Sequence, residues 1–175
     1  MARGGDGAGR GRAEGEAFWR FSLAFYARPG VAGALIGLQD RGGCDVNLAL
    51  FGLWLGTARR RRLNPAELAA AEAACAPLRD RVVAVLRGLR RRLRPDPDPD
   101  IDYLRQRIEA LELIAEKQVQ YRLAGSLPAR EHDVEENDRL ASAEANLALC
   151  LGPEHAASAE AAIIRRALVE FTARR

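Results

Sequence analysis

The stretch Leu38-Gln39-Asp40-Arg41-Gly42-Gly43-Cys44-Asp45-Val46-Asn47-Leu48 decides the fold. A short helix is expected over Val31 to Arg41, and Gly42-Gly43 closes it. Glycine has no Cβ, so it takes the left-handed conformation of a helix C-terminus without steric cost. Asp45 then offers a carboxylate to the unpaired N–H groups of a new helix, predicted from Val46 to about Arg60. Leu50, Phe51, Trp54 and Leu55 form the inward stripe of that helix. Helix, tight polar corner and helix follow one another with no strand between them.

The same grammar extends in both directions. Phe18, Trp19, Ser22, Phe25 and Tyr26 fall at helical spacing, and Arg28-Pro29-Gly30 breaks that helix. Asn64-Pro65-Ala66-Glu67 is a helix start with Asn at the cap, Pro at the first position and Glu at the third. At Pro77 the chain either kinks or restarts, and apolar spacing resumes from Leu78 to Leu93. Residues 94–100 contain Pro95-Asp96-Pro97-Asp98-Pro99-Asp100, which excludes helix and reads as a linker. Asp100 is placed to cap a long helix from Ile101 to about Leu123. Further helices are expected over about Val134 to Leu151 and, beyond Gly152-Pro153, along Ile163, Ile164, Ala167, Leu168 and Phe171. No segment alternates as a strand would. The expected fold is all-α, a single-domain bundle of about seven helices. Residues 1–13 are expected to form a disordered Gly/Arg-rich tail before a helical domain over 14–175.

Composition narrows the class. The chain has 175 residues, 48% hydrophobic and 29% charged, which suits a folded core and excludes collagen-like and disulfide-scaffold chains. The net charge of +3 does not require a nucleic-acid partner. Lys117 is the only lysine, and the surplus of arginine and alanine matches GC-rich codon usage. Cys44, Cys75 and Cys150 are odd in number and widely spaced, which points to reduced thiols and a cytoplasmic location. Neither half of the apolar stretch from Val31 to Gly56 reaches the ~20 residues of a bilayer span.

The segments Phe18-Trp19-x-Phe21-Ser22-Leu23, Tyr26 and Leu38-Gln39-Asp40-x-x-Gly43-x-Asp45-Val46-Asn47-Leu48 resemble a family of small uncharacterised proteobacterial proteins, a domain of unknown function. A second block, Leu86-Arg87-x-Leu89-Arg90-Arg91 with Arg107-x-x-x-Ala110-Leu111-Glu112-Leu113-x-Ala115-Glu116, fits it too. Val85 and Leu78 depart from the Pro and Trp that the family often carries there. The resemblance covers about residues 16–123. It implies an all-helical cytoplasmic protein and no particular activity.

Two sets of residues could carry function. Gln39, Asp40, Asp45 and Asn47 read first as a capped, hydrogen-bonded corner. Alternatively they line a pocket walled by Trp19, Tyr26 and Trp54 that takes a small ligand. Arg87, Arg90, Arg91, Arg92 and Arg94 crowd one helix end. Arg87, Arg90 and Arg91 could form structural ion pairs with Glu112 and Glu116, fixing two antiparallel helices. The same arginines could instead bind an anion or nucleic acid. Arg59 to Arg62 reads as a solvated helix end. Glu109, Glu112 and Glu116 lack the Glu-x-x-His partners of a di-metal bundle. His132 with Asp133, Glu135, Glu136 and Asp138 reads as an acidic helix start, with no metal and no cofactor expected. No nucleophile elbow, phosphate loop or dinucleotide fingerprint occurs. Cys44, just ahead of a helix start, reads as an inert thiol. The leading expectation is a non-catalytic module that binds an unknown protein partner, with the corner pocket and the arginine helix as alternatives.

Asp45→Ala is expected to cost about 0.5–2 kcal/mol, the usual value of a helix cap. Urea denaturation measures it. An unchanged midpoint with loss of a bound ligand would favour the pocket reading.

Overall fold

The computed structural model describes residues 5–128, 135 and 138–173, with residues 5–8 and 10 described by backbone alone. Its helices are α1 (Gly5–Tyr26), α2 (Val31–Gly42), α3 (Val46–Ala58), α4 (Pro65–Leu78), α5 (Ala84–Leu93), α6 (Pro99–Gly125), α7 (Arg139–Leu151), the single turn α8 (Pro153–Ala156) and α9 (Ala159–Thr172). Among the described residues there is no strand, and the fold is an all-α bundle.

The helix α3 is the axis. Leu48 through Gly56 are all buried, so every face of the helix meets protein, as its uniformly apolar sequence demands. Against it lie α7 on one side and α1, α2 and α6 on others. Phe18 of α1 packs on Phe51 and Trp54 at centroid distances of 5.5 and 5.1 Å. Phe171 of α9 meets Phe21 and Phe25 edge-on. Between α1 and α2 the chain turns by 101°, and no single described helix is long and apolar enough to cross a membrane.

Several helix ends follow the residues that signal them. Gly43 is left-handed, with φ of 65°, and its N–H donates to the carbonyls of Gln39 and Leu38. Asp45 Oδ1 accepts from Asn47 N at 2.8 Å and Leu48 N at 3.3 Å. Asn64 and Glu67 form the reciprocal capping box, at 2.9 and 3.2 Å.

Other boundaries differ from expectation. The helix α1 begins at Gly5 rather than near Glu14, because α1 continues along α6: Arg12 faces Gln118, Tyr121 and Arg122. Residues 1–4 of the expected tail lie outside the described residues. Pro77 does not end α4, and no separate helix start follows it. A π-helical turn over Arg79–Val83 follows at once, so α4 and α5 run on without a break. A proline removes one N–H from the ladder, and a wider turn next to it absorbs the mismatch. The cap of α6 is Asp98, whose Oδ1 accepts from Asp100 N at 2.9 Å, since Pro99 suits the first helical position. Ile163 is exposed on α9, while Ile164, Ala167 and Leu168 face inward. Arg61 is buried rather than solvated, donating to Pro128 O and to Glu67 Oε1 at 2.8 Å each. His132, Asp133 and Glu136 lie outside the described residues.

The helices α3 and α7 approach each other closely. A Cβ on Gly56 would stand 2.3 Å from the Cα and N of Ala143, which is backbone and cannot swing aside. Replacing a mid-helix glycine by alanine normally stabilises by up to ~1 kcal/mol. Here Gly56→Ala is expected to destabilise by about 2 kcal/mol through overpacking. Chemical denaturation reads the sign, and a gain in stability would contradict the close approach.

Candidate functional site

The corner between α2 and α3 opens into a cleft of about 790 Å³, walled by α1, α2, α3, α5 and α6. Trp19, Ser22, Leu23 and Tyr26 line it from α1, and Ile36 and Gln39 from α2. Val46, Asn47 and Leu50 come from α3, with Arg87, Arg90 and Arg91 from α5. The α6 wall includes Glu112, Leu113, Glu116 and Gln120. These positions converge because α1 and α6 pack side by side. Glu16 of α1 accepts from Lys117 at 3.1 Å, and the Lys117 ammonium sits 5.7 Å from the Trp19 ring centre.

The structure therefore brings Trp19, Tyr26, Gln39 and Asn47 to one space, with Arg87, Arg90, Arg91, Glu112 and Glu116. It separates three others from it. Trp54 is buried in the core against Phe18 and Phe51 and does not wall the corner, because it lies about two turns along α3 from Asn47. Asp45 spends one oxygen on the cap of α3 and the other on Arg79 Nη1, at 3.2 Å. Asp40 lies at the exposed rim and accepts from Arg91 Nη2 at 2.8 Å.

That last pair corrects the expected arginine network in one member. Arg87 donates from Nε to Glu112 Oε1 at 2.9 Å and from Nη2 to Glu116 Oε1 at 2.6 Å. Arg90 Nε reaches Glu112 Oε2 at 2.7 Å. Arg91, one residue on, is turned about 100° around the helix and meets Asp40 instead of a glutamate. Glu112 is only 5% exposed, so its charge is tolerable through these two guanidiniums.

The ionisable groups respond accordingly. Burial opposes the Glu112 charge, but hydrogen bonds from Arg90 and Arg87 outweigh it and hold the pKa below the ordinary carboxylate value. Burial raises the pKa of Glu116, against the attraction of Arg87. Burial also raises the Tyr26 phenol, with Glu116 adding to the effect. Burial pushes the Cys44 thiol up, away from the reactive range. Among the described residues no group of three or more His, Cys, Asp or Glu could hold a metal ion.

Two lining residues escape sequence reasoning. Ser22 and Gln120 are each 3% exposed. Ser22 Oγ and Gln120 Oε1 have no hydrogen-bond partner among the described residues. The Gln120 amide nitrogen donates to Asn47 Oδ1 at 2.9 Å. Helical spacing places both on inner faces, yet nothing in one dimension tells a satisfied buried polar group from an unsatisfied one.

Arg87→Ala is expected to cost about 2–3 kcal/mol, because it leaves Glu112 and Glu116 under-compensated. Exposed Arg92, changed to Ala, should stay within about 0.5 kcal/mol. A pH series separates the two glutamates. The lowered pKa of Glu112 gives stability that is present above the unfolded glutamate pKa and lost as pH falls through the folded value. The raised pKa of Glu116 works the other way, favouring the fold as Glu116 protonates. Between about pH 7 and pH 3, Glu112→Gln should flatten the acid loss of stability and Glu116→Gln should steepen it. Thermal midpoints across that range check both signs.

No curated protein and no solved structure matches the chain. Residues 17–123 match the family described as "Protein of unknown function (DUF2390)". That span starts just before Phe18 and ends in the last turn of α6, so it contains every residue that lines the cleft and excludes α7 to α9. The chain belongs to the DUF2390 family of proteins of unknown function, and the family's share of it is the part that builds the cleft.

Proposed function

We propose that this protein binds a small molecule in the cleft between α1, α3 and α6. The observation that carries the reading is the cleft itself, and two of the residues that line it, Ser22 and Gln120, each hold a buried polar atom with no partner among the described residues. A buried donor or acceptor left unpaired costs roughly 1–3 kcal/mol, so folded proteins pair most of them, with their own groups, with ordered water or with something bound. The volume of about 790 Å³ falls within the range of ligand sites. Leu23, Ile36 and Leu113 at its mouth are 50%, 45% and 50% exposed, which leaves apolar surface for a guest to cover. Binding fits the lining better than chemistry does, because Glu112 and Glu116 are tied to arginines and none of the cysteines lines the cleft.

Docking of a protein partner has support elsewhere. Tyr103, Leu104, Leu111 and Ile114 are each more than half exposed along α6, spaced as a stripe for another apolar helix. None of them lines the cleft, so the two readings are independent.

The ligand reading makes a stability prediction of unusual sign. Ser22→Ala removes an unpaired buried hydroxyl, so the empty protein should be unchanged within about 0.5 kcal/mol or become more stable. In parallel, a cocktail of aromatic and heteroaromatic fragments should shift the Trp19 indole resonance and leave that of Trp54, in the core, in place. Destabilisation of Ser22→Ala beyond ~1 kcal/mol, or fragment shifts confined to other surfaces, would remove the reading.

A further inference from the structure

The outer face of α6 carries a seam that the rest of the described chain leaves open. Asp100, Leu104, Arg107, Leu111, Ile114 and Gln118 follow one another at alternating spacings of four and three, the period of two helices packed side by side. All of them are exposed, Leu104, Leu111 and Ile114 to 55%, 53% and 58%. Tyr103 beside them is 60% exposed. The opposite face of α6, through Glu112, Ala115, Val119 and Leu123, holds its buried residues. A single exposed leucine is ordinary, but large apolar side chains repeated over about three turns of one helix form a surface that association would cover.

Two features fit the seam to a second copy of itself. Its spacing is symmetric about the point midway between Arg107 and Leu111. In an antiparallel pair crossing there, Leu104 meets Ile114 of the second copy, Arg107 lays its aliphatic stem along Leu111, and Asp100 meets Gln118. Each contact then occurs twice, as a two-fold axis requires. Charge selects the direction. The seam opens on exposed Asp98 and Asp100 and closes on exposed Arg122. Antiparallel pairing brings the acidic start of each α6 to within about one turn of the basic end of the other. Parallel pairing would stack Asp100 on Asp100 and Arg107 on Arg107. An anionic lipid surface fits less well, because the same acids would face its headgroups.

We infer that α6 pairs with α6 of a second copy of this chain, antiparallel and centred between Arg107 and Leu111, in a two-fold homodimer. The inference rests on the reading of this stripe as a docking surface and goes beyond it by naming the occupant. It does not involve the cleft, whose lining shares no residue with the seam. One helix seam lies at the small end of specific interfaces, so a dissociation constant on the order of 1–100 µM is expected.

Sedimentation equilibrium of the full chain from about 1 µM to about 500 µM tests it, since mass action makes the dimer fraction rise with concentration. Leu111→Lys combined with Ile114→Lys changes only exposed positions, so the monomer should stay folded by circular dichroism while association weakens at least tenfold. Asp100→Arg alone and Arg122→Asp alone should each weaken it severalfold, and the two together should recover most of the loss. A dimer indifferent to the Leu111 and Ile114 changes uses another surface, and one that the charge exchange does not restore is not antiparallel. Either result overturns the inference, as does a chain that stays monomeric throughout. In that last case, maleimide labelling of Ile114→Cys, followed on the peptide containing position 114, separates the two readings. Fast labelling leaves the stripe open to a different protein. Protection in the monomer means that the chain covers its own stripe, and the docking reading falls as well.

Discussion

The structure depends on one buried amide. Asn146 of α7 is fully buried, and it binds three backbone groups at once. Its Nδ2 donates to the carbonyls of Gly52 and Arg61, at 3.0 and 2.9 Å, and its Oδ1 accepts from Leu63 N at 2.8 Å. It thereby fixes the middle of α3, the irregular segment after it, and α7 to one another. The contact is reachable only because glycines at 52 and 56 let α3 come within backbone distance of Ala143 and Asn146. With α3 fixed, the direction of its first turn is fixed too, and Asn47 is delivered to α6.

The consequences run outward from there. The helix α6 must meet α3 at Gln120 while running beside α1, so it cannot also close over the α2–α3 corner. The arm formed by α4 and α5 leans on the other flank of α6 through Arg87 and Arg90. Glu112 thus ties α5 to α6 through its two guanidinium partners. The π-helical turn at Arg79–Val83 contributes to the same geometry, since Arg79 on it is tied to Asp45, the cap of α3. Corner, arm and cleft are therefore one mechanical unit.

The parts of this arrangement that depend on neighbours in sequence were legible in it. The Gly43 turn, the Asp45 cap and the Asn64–Glu67 box are all closed within four residues, and side-chain chemistry alone dictates them. The Arg87–Glu112–Glu116 network was legible for a related reason: Glu112 and Glu116 share one face of α6 at i, i+4 spacing, and Arg87 and Arg90 share one face of α5 at i, i+3. Contacts set by the angle between helices were not. Trp54 and Trp19 look equivalent as aromatic members of apolar helices, yet one is in the core and the other on the cleft. Pro77 breaks a helix by local rule, and only the option of a wider turn, supported by packing on α6, carries the chain through it. The importance of Asn146 and Gln120 could not be read at all, because each is a polar residue on a buried face whose partners lie 73 to 94 positions away.

Those two amides define the sharpest contrast in the molecule. Both are carried by long helices, both are almost wholly removed from water, and both give up the same hydration on folding. Asn146 recovers it, since its oxygen and both hydrogens of its nitrogen are bonded to backbone. Gln120 recovers half, through a single bond to Asn47, and its oxygen has no partner among the described residues. A fold able to satisfy an amide completely at one site has no physical need to leave another half-satisfied. Leucine or methionine at position 120 would fill the same volume beside Val119 and Leu123 without a desolvated oxygen. The contrast lies in the pairing alone: one amide has every polar atom bonded to backbone, and the other keeps a desolvated oxygen with no partner among the described residues, a state that forgoes stability.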